Sequence, residues 1–364
     1  MDKLKNFFNE ACLRRISQEI KKVYSDFPQR EFLKIAQDLE NLEMKERVHL
    51  IRDGLRKHLP SDYTESLKIL LRSLESQELR SFDLWPYTEF VQTFGLHEPK
   101  ISLKALKKMT EFFTAEWAIR PFIINHPELT WKFLSDCADS SNFHHRRLAS
   151  EGSRPFVPWG MKLETVASTP ELTLGILDRL KNDQELYVRK SVANHLNDFS
   201  KIHPVLVCRL LNEWKKNAND EDLQKINWII RHSLRTLIKD GYKPALKLIG
   251  VQPEVKIELR LMKLKKKRIR IGDSLDFEFE IKLLQDKKAQ LEIDYILWFR
   301  RMNGELGRKV FKLKKTTASS QEVLHLRKSH PLKAISTRKY YKGSQRLDLQ
   351  VNGDVKGSLT WEII

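Results

Sequence analysis

The chain has 364 residues, 41% of them apolar, and a formal net charge of +18. That length allows two domains with cores of normal size, and the apolar fraction excludes a disordered tail. No apolar run approaches the roughly 20 residues that cross a bilayer, and so large an excess of bases points first to nucleic acid or an anionic surface.

Residues 1 to about 250 read as helix after helix. Apolar residues at Leu4, Phe7, Phe8, Ala11, Cys12 and Ile16 recur with a helical period from Asp2 to Tyr24. Phe32, Ile35, Ala36 and Leu39 continue it, followed by Val48, Ile51 and Leu55, with Pro60 as the stop. Ser61-Asp62 caps the next helix, whose apolar face is Leu67, Leu70, Leu71 and Leu74. Short paired helices split by Pro, Gly, Asp or Ser carry on to Gly241 and Pro244. The pattern predicts an α-solenoid of HEAT-like repeats over residues 1–250.

At Val251-Gln252-Pro253 the period changes from helical to alternating. Val255 to Leu261, Leu275 to Ile281, Ile293 to Leu297, Val310 to Leu313, Val323 to Leu326, Leu347 to Val351 and Leu359 to Trp361 read as strands. Gly272-Asp273, Asn303-Gly304, Lys342-Gly343 and Asn352-Gly353-Asp354 mark turns between them. Seven short strands predict an immunoglobulin-like β-sandwich over 254–364 without a Cys–Cys pair. The fold class is therefore multidomain, α then β. From Gln252 onward 26 Lys and Arg face 14 Asp and Glu, a net +12, so only +6 of the total belongs to residues 1–251.

Two near-matching phrases stand out in the helical part. Glu116-Trp117-Ala118-Ile119-Arg120-Pro121-Phe122 is echoed by Glu151-Gly152-Ser153-Arg154-Pro155-Phe156, and the glutamates lie 35 positions apart. That spacing is about one unit of a helical repeat, which brings equivalent positions to one surface. Glu116 reads as a carboxylate on a helix, braced by Arg120 four positions on. Glu151 reads as part of a rigid loop whose two Gly, two Pro and Trp159 end the helical pattern. Rigidly held carboxylates suit stabilisation of positive charge or activation of a water. Arg146, Arg147 and Arg154 are phosphate candidates, and Trp159 offers a ring for a sugar or a cationic base. Trp117 is expected in the core. Arg189, Asn194, Asn197 and Asp198 form a polar ridge that either meets DNA or braces the solenoid. The run Lys263-Leu264-Lys265-Lys266-Lys267-Arg268-Ile269-Arg270 reads as a strand plus a turn, with Lys265, Lys266, Lys267 and Arg268 as phosphate contacts.

Other chemistries lack support. His144-His145 has no third metal ligand at suitable spacing, and no P-loop, GxSxG or Cys-His arrangement is present. Cys12, Cys137 and Cys208 are scattered and odd in number, which fits a reducing compartment. Met1 to Asn6 carries charge but no apolar core, so no signal peptide is expected and the cytoplasm is the expected location.

The phrase around Glu116, the longer stretch from Arg146 to Pro155 with Pro158-Trp159-Gly160, and Tyr187-Val188-Arg189-Lys190-Ser191-Val192-Ala193-Asn194 together resemble the AlkC family of bacterial DNA alkylation repair proteins. The likeness covers residues 1 to about 250. The strands after Gln252, with Arg346-Leu347-Asp348-Leu349-Gln350-Val351-Asn352-Gly353, resemble the immunoglobulin-like domain of one AlkC branch. The resemblance implies a monofunctional DNA glycosylase of base excision repair, acting on duplex DNA with alkylated bases. It implies release of 3-methyladenine and 3-methylcytosine without base flipping, in contrast to most enzymes of this kind. No feature demands an oligomer or a redox or metal cofactor, so a monomer without cofactor or membrane is expected, at the bacterial nucleoid during repair. By resemblance Glu116 and Glu151 supply the carboxylates and Trp159 the aromatic ring. Arg147 and Arg154 hold flanking phosphates, with Arg120, Arg146, Arg189 and Asn194 as further DNA contacts and the β-sandwich as a clamp. On the residues alone two other readings stay open: a non-catalytic solenoid that binds DNA or a protein, and an AlkD-like enzyme preferring 7-methylguanine.

Overall fold

The computed structural model describes residues 4–333 and 339–364. Among them sixteen α-helices precede eight β-strands. The helices are α1 (Glu10–Val23), α2 (Gln29–Leu33), α3 (Met44–His58), α4 (Tyr63–Arg72), α5 (Trp85–Phe94), α6 (Pro99–Met109), α7 (Arg120–Asn125), α8 (Pro127–Ala138), α9 (Phe143–Gly152), α10 (Glu164–Ser168), α11 (Glu171–Leu180), α12 (Leu186–Ser200), α13 (Pro204–Lys216), α14 (Asp220–Ser233), α15 (Arg235–Lys239) and α16 (Lys243–Leu248). The chain divides into two compact units, Met1–Phe199 and Ser200–Ile364.

In the first unit, local chemistry sets the helix starts. The Asn9 side chain accepts from the Cys12 amide at 3.1 Å, so α1 begins at Glu10. The helix expected from Asp2 is therefore preceded by a separate 3-10 turn over Leu4–Phe7. Asp62 caps α4 by accepting from the Glu65 amide at 2.8 Å, as the sequence predicts. Asn142 does the same for α9 through the His144 amide at 2.9 Å. Pro99 and Pro127 open α6 and α8, where the missing N–H costs nothing. Neighbours in sequence are neighbours in space: α3 packs on α5, α5 on α6, α8 on α9 and α9 on α11. That local contact pattern is what a repeat array requires. The core runs through Phe8, Trp85, Phe90, Phe122, Leu148, Leu177 and Phe199.

The second unit contains α13 to α16 and the strands β1 (Ile257–Leu264), β2 (Arg268–Ile269), β3 (Ser274–Leu283), β4 (Ala289–Arg300), β5 (Leu306–Ala318), β6 (Val323–Pro331), β7 (Gly343–Val351) and β8 (Asp354–Ile363). Each of the seven expected strands has its counterpart, and β2 is added as a short strand parallel to β8. The sandwich has one sheet in the order β1-β3-β6 and another in the order β2-β8-β7-β4-β5. Phe279, Tyr295, Leu347, Leu349 and Trp361 fill its core. The β7–β8 turn is Asn352-Gly353, both at positive φ (49° and 89°), the geometry that a two-residue hairpin with the strands' own twist demands. The switch from helical to strand periodicity expected near Val251 falls between Leu248 and Ile257. Helices before the switch hold the sheet after it: Arg308 reaches Asp240 at 3.0 Å, Arg231 reaches Glu292 at 2.7 Å, and the Gln350 amide donates to the Lys239 carbonyl at 3.0 Å.

Candidate active site

The two echoed phrases meet in the first unit, through a chain of alternating charges. Glu116 lies in the turn before α7, and its carboxylate accepts from the Thr114 hydroxyl and from Arg147 Nη2, both at 2.8 Å. Arg147, on α9, also stands 3.8 Å from Glu151 in the last turn of that helix. Arg154 Nη1 donates to Glu151 at 2.5 Å, and its Nε donates to Asp198 of α12 at 2.9 Å. The three carboxylates are almost wholly buried, with exposures of 7%, 5% and 3% for Glu116, Glu151 and Asp198. Buried charges of this kind persist only when paired and hydrogen-bonded. Burial by itself would lower both arginines. Glu116 and Glu151 outweigh it for Arg147, Glu151 and Asp198 outweigh it for Arg154, and both end above the ordinary arginine value.

Several features hold this arrangement in place. The Ser150 and Ser191 hydroxyls join α9 to α12 at 2.9 Å, and His195 Nδ1 sits 3.0 Å from the Ser150 carbonyl. Burial, then the nearby Arg154, pushes His195 down to about 3, so the ring is neutral. Gly152 lets the helix end approach the Glu116 turn, because a Cβ there would lie 2.6 Å from Ile119 Cγ2. Glu151 at the C-terminus of α9 faces the unfavourable end of the helix dipole, which its arginines offset.

Trp159 is the exposed member of the site, at 50%. Its φ of +65° is costly for a bulky residue. The strain is held by its neighbours: the ring stacks on Trp85 at 6.0 Å and 15°, and Lys45 bonds its carbonyl. Trp117 stacks on Trp85 at 4.5 Å and donates its indole N–H to the Pro158 carbonyl at 3.0 Å.

Several expectations need correction. Glu116 sits in a turn, not a helix, and its partner is Arg147, not Arg120. Glu151 is helical, and the Gly/Pro-shaped loop starts only after Gly152. Arg120 is fully buried and donates to the Met161, Gly152 and Pro155 carbonyls at 2.6, 3.1 and 3.0 Å, so it pins the loop and cannot face a phosphate. Burial, then Arg154, draws Arg120 down to about 10. Arg154 is likewise buried, its guanidinium given to two carboxylates. Arg146 spends its donors on Asp183 and on the Ser140 and Ser141 carbonyls, apart from the carboxylate chain. Arg189 donates to the Asp183 and Gln184 carbonyls, and Asn194 is half-buried on α12. In the second unit Lys265, Lys266 and Lys267 are exposed between β1 and β2, while exposed Arg268 pairs with Glu362 at 3.1 Å.

The sequence reading missed Thr114 and left Asp198 inside a polar ridge. The Thr114-x-Glu116 spacing is that of a hydroxyl turn, with the Glu116 amide 3.3 Å from Thr114 Oγ1, and could have marked the first. Among the described residues no group of three or more His, Cys, Asp or Glu could hold a metal ion, and no helix is long and apolar enough to cross a membrane.

Residues 258–364 match the family described as "Uncharacterised protein YhaZ, C-terminal Ig-like domain". YhaZ of Bacillus subtilis (strain 168) is 37% identical over 365 residues, covering all of both chains. The solved structure of the Pseudomonas fluorescens alkylpurine DNA glycosylase AlkC, bound to DNA containing an abasic site analog, is 34% identical. It matches with a TM-score of 0.94 over 100% of both chains. The chain belongs to the AlkC/YhaZ family. The AlkC/YhaZ likeness thus extends through the β-sandwich as well as the helices, and the buried carboxylates above lie within the matched length.

Proposed function

We propose that this protein is a DNA glycosylase of alkylation repair, which releases cationic N-methylated bases, 3-methyladenine and 3-methylcytosine, from duplex DNA without flipping them. The observation that carries the reading is the buried chain Glu116–Arg147–Glu151–Arg154–Asp198 beside the strained, exposed ring of Trp159. The 34% identity to AlkC over the whole length supports it.

The chemistry suits those residues. A methylated cationic base is already a good leaving group, so no strong general acid is required. The transition state puts positive charge on the deoxyribose, and carboxylates fixed before the reaction stabilise that charge and orient the attacking water. An indole face at Trp159 favours a cationic neighbour. With Arg120 and Arg154 buried and Arg147 given to Glu116, phosphate contacts fall to the exposed Lys265, Lys266, Lys267 and Arg268 of the β-sandwich and, less accessibly, to the half-buried Arg189 and Asn194 on α12. In this reading the protein acts as a monomer and needs no cofactor.

Incubation of the protein with methylated duplex DNA and identification of the free bases tests the reading. Release of 3-methyladenine and 3-methylcytosine is expected. Mainly 7-methylguanine would favour an AlkD-like specificity, and no released base would leave a DNA-binding module.

A further inference from the structure

Tyr187 belongs to α12, and nothing in the proposed chemistry uses it. Arg147 lies over its ring, with Cζ 4.5 Å from the centroid, while 43% of the tyrosine remains exposed. Arg147 is the one cation within 4 Å of both Glu116 and Glu151 among the described residues, at 2.8 and 3.8 Å. It also donates to Thr114 at 3.1 Å. The guanidinium is therefore held from three elements: the turn before α7, its own α9, and the ring from α12.

An aromatic face suits this third contact. It confines the plane of a guanidinium without accepting an N–H in the plane, so the donors stay on the carboxylates. A second carboxylate in that place would compete for them. The ring is itself fixed, edge-on to Phe143 at 6.3 Å and 79° and to His144 at 6.2 Å and 76°. Burial pushes the Tyr187 phenol up, Arg147 opposes this, and Glu116 and Glu151 add to the rise. The hydroxyl thus brings no charge to the cluster. Without the ring, Arg147 could swing fully to either glutamate, and the charge left for the sugar would change with it.

We propose that Tyr187 is a positioning residue, which acts through Arg147 to hold one cation shared between Glu116 and Glu151. The inference rests on the glycosylase reading above. Its test is a double-mutant cycle on single-turnover release of 3-methyladenine from methylated duplex DNA. Tyr187→Leu is expected to slow release about tenfold, between the scales of an exposed and a desolvated cation–π contact. Tyr187→Phe, which keeps the ring, recovers the rate, and Tyr187→Leu adds no further loss in an Arg147→Lys background. An equal loss in both backgrounds, no loss from Tyr187→Leu, or a Tyr187→Phe protein as slow as Tyr187→Leu overturns the proposal. If the unaltered protein releases no base, the glycosylase reading falls on its own, and the positioning is then read from the Arg147 Nε resonance by 15N NMR. A signal shifted by Tyr187→Leu but not by Tyr187→Phe supports the clamp. A signal indifferent to Tyr187→Leu sinks it.

Discussion

Glu151 in the helical unit and Asp294 in the β-sandwich are buried alike, at 5% and 6% exposure, but their surroundings differ. Glu151 has Arg154 at 2.5 Å and Arg147 at 3.8 Å, while Asp294 has no ion-pair partner among the described residues. Arg231 and Lys312 go instead to its neighbour Glu292, at 2.7 and 3.2 Å. Burial first, and the adjacent Glu292 second, push Asp294 up to about 6. Opposite-charge partners favour the ionised form of a carboxylate, and desolvation disfavours it. The helical unit concentrates arginines where its carboxylates cluster, at the place where the proposed reaction needs negative charge.

The largest effect that tests this contrast is on stability. Arg154→Ala leaves Glu151 and Asp198 without their shared cation, and should cost about 3–5 kcal/mol in urea unfolding. A loss below about 1 kcal/mol would show that the pairing is dispensable. Next comes function. Glu151→Gln keeps shape and removes charge, and should slow base release at least about a hundredfold while binding to intact DNA stays within about twofold. Full activity would take Glu151 out of the mechanism.

Asp294→Asn should act in the opposite sense. The folded carboxyl titrates at about 6, above its ordinary 3.8. Its contribution is thus fully present below pH 3.8 and is lost as pH rises through about 6. The neutral amide escapes that loss, so the variant should be more stable by about 2 kcal/mol at pH 8 and near parity at pH 3.5. A gain that does not change with pH would point to packing. The smallest effect concerns DNA. Replacing Lys265, Lys266 and Lys267 together by Ser should flatten the slope of log affinity against log salt by about 2.7, roughly 0.9 per phosphate contact. An unchanged slope would exclude that loop from the interface.

The outline of the fold is determined by the sequence itself. Caps such as Asp62, prolines such as Pro99 and Pro127, and the change from helical to alternating periodicity near Val251 act over a few residues, so they are legible without a third dimension. All seven expected strands follow from alternation, and Asn352-Gly353 from the backbone freedom that its turn demands. The phrases around Glu116 and Glu151 could also be read, since a repeat array converts sequence spacing into spatial adjacency.

Only the tertiary structure decided which cation serves which carboxylate. Glu116 has Arg120 at helical spacing, yet Arg120 is fully buried and Arg147, 31 positions on, takes the carboxylate. Asp198 reaches Arg154 across 44 positions, and Tyr187 reaches Arg147 across the gap between α9 and α12. An arginine reads the same in a sequence whether it faces a phosphate, a carbonyl or a carboxylate. Burial separates these cases, because a desolvated guanidinium must find acceptors for all its donors, and those acceptors come from elsewhere in the chain.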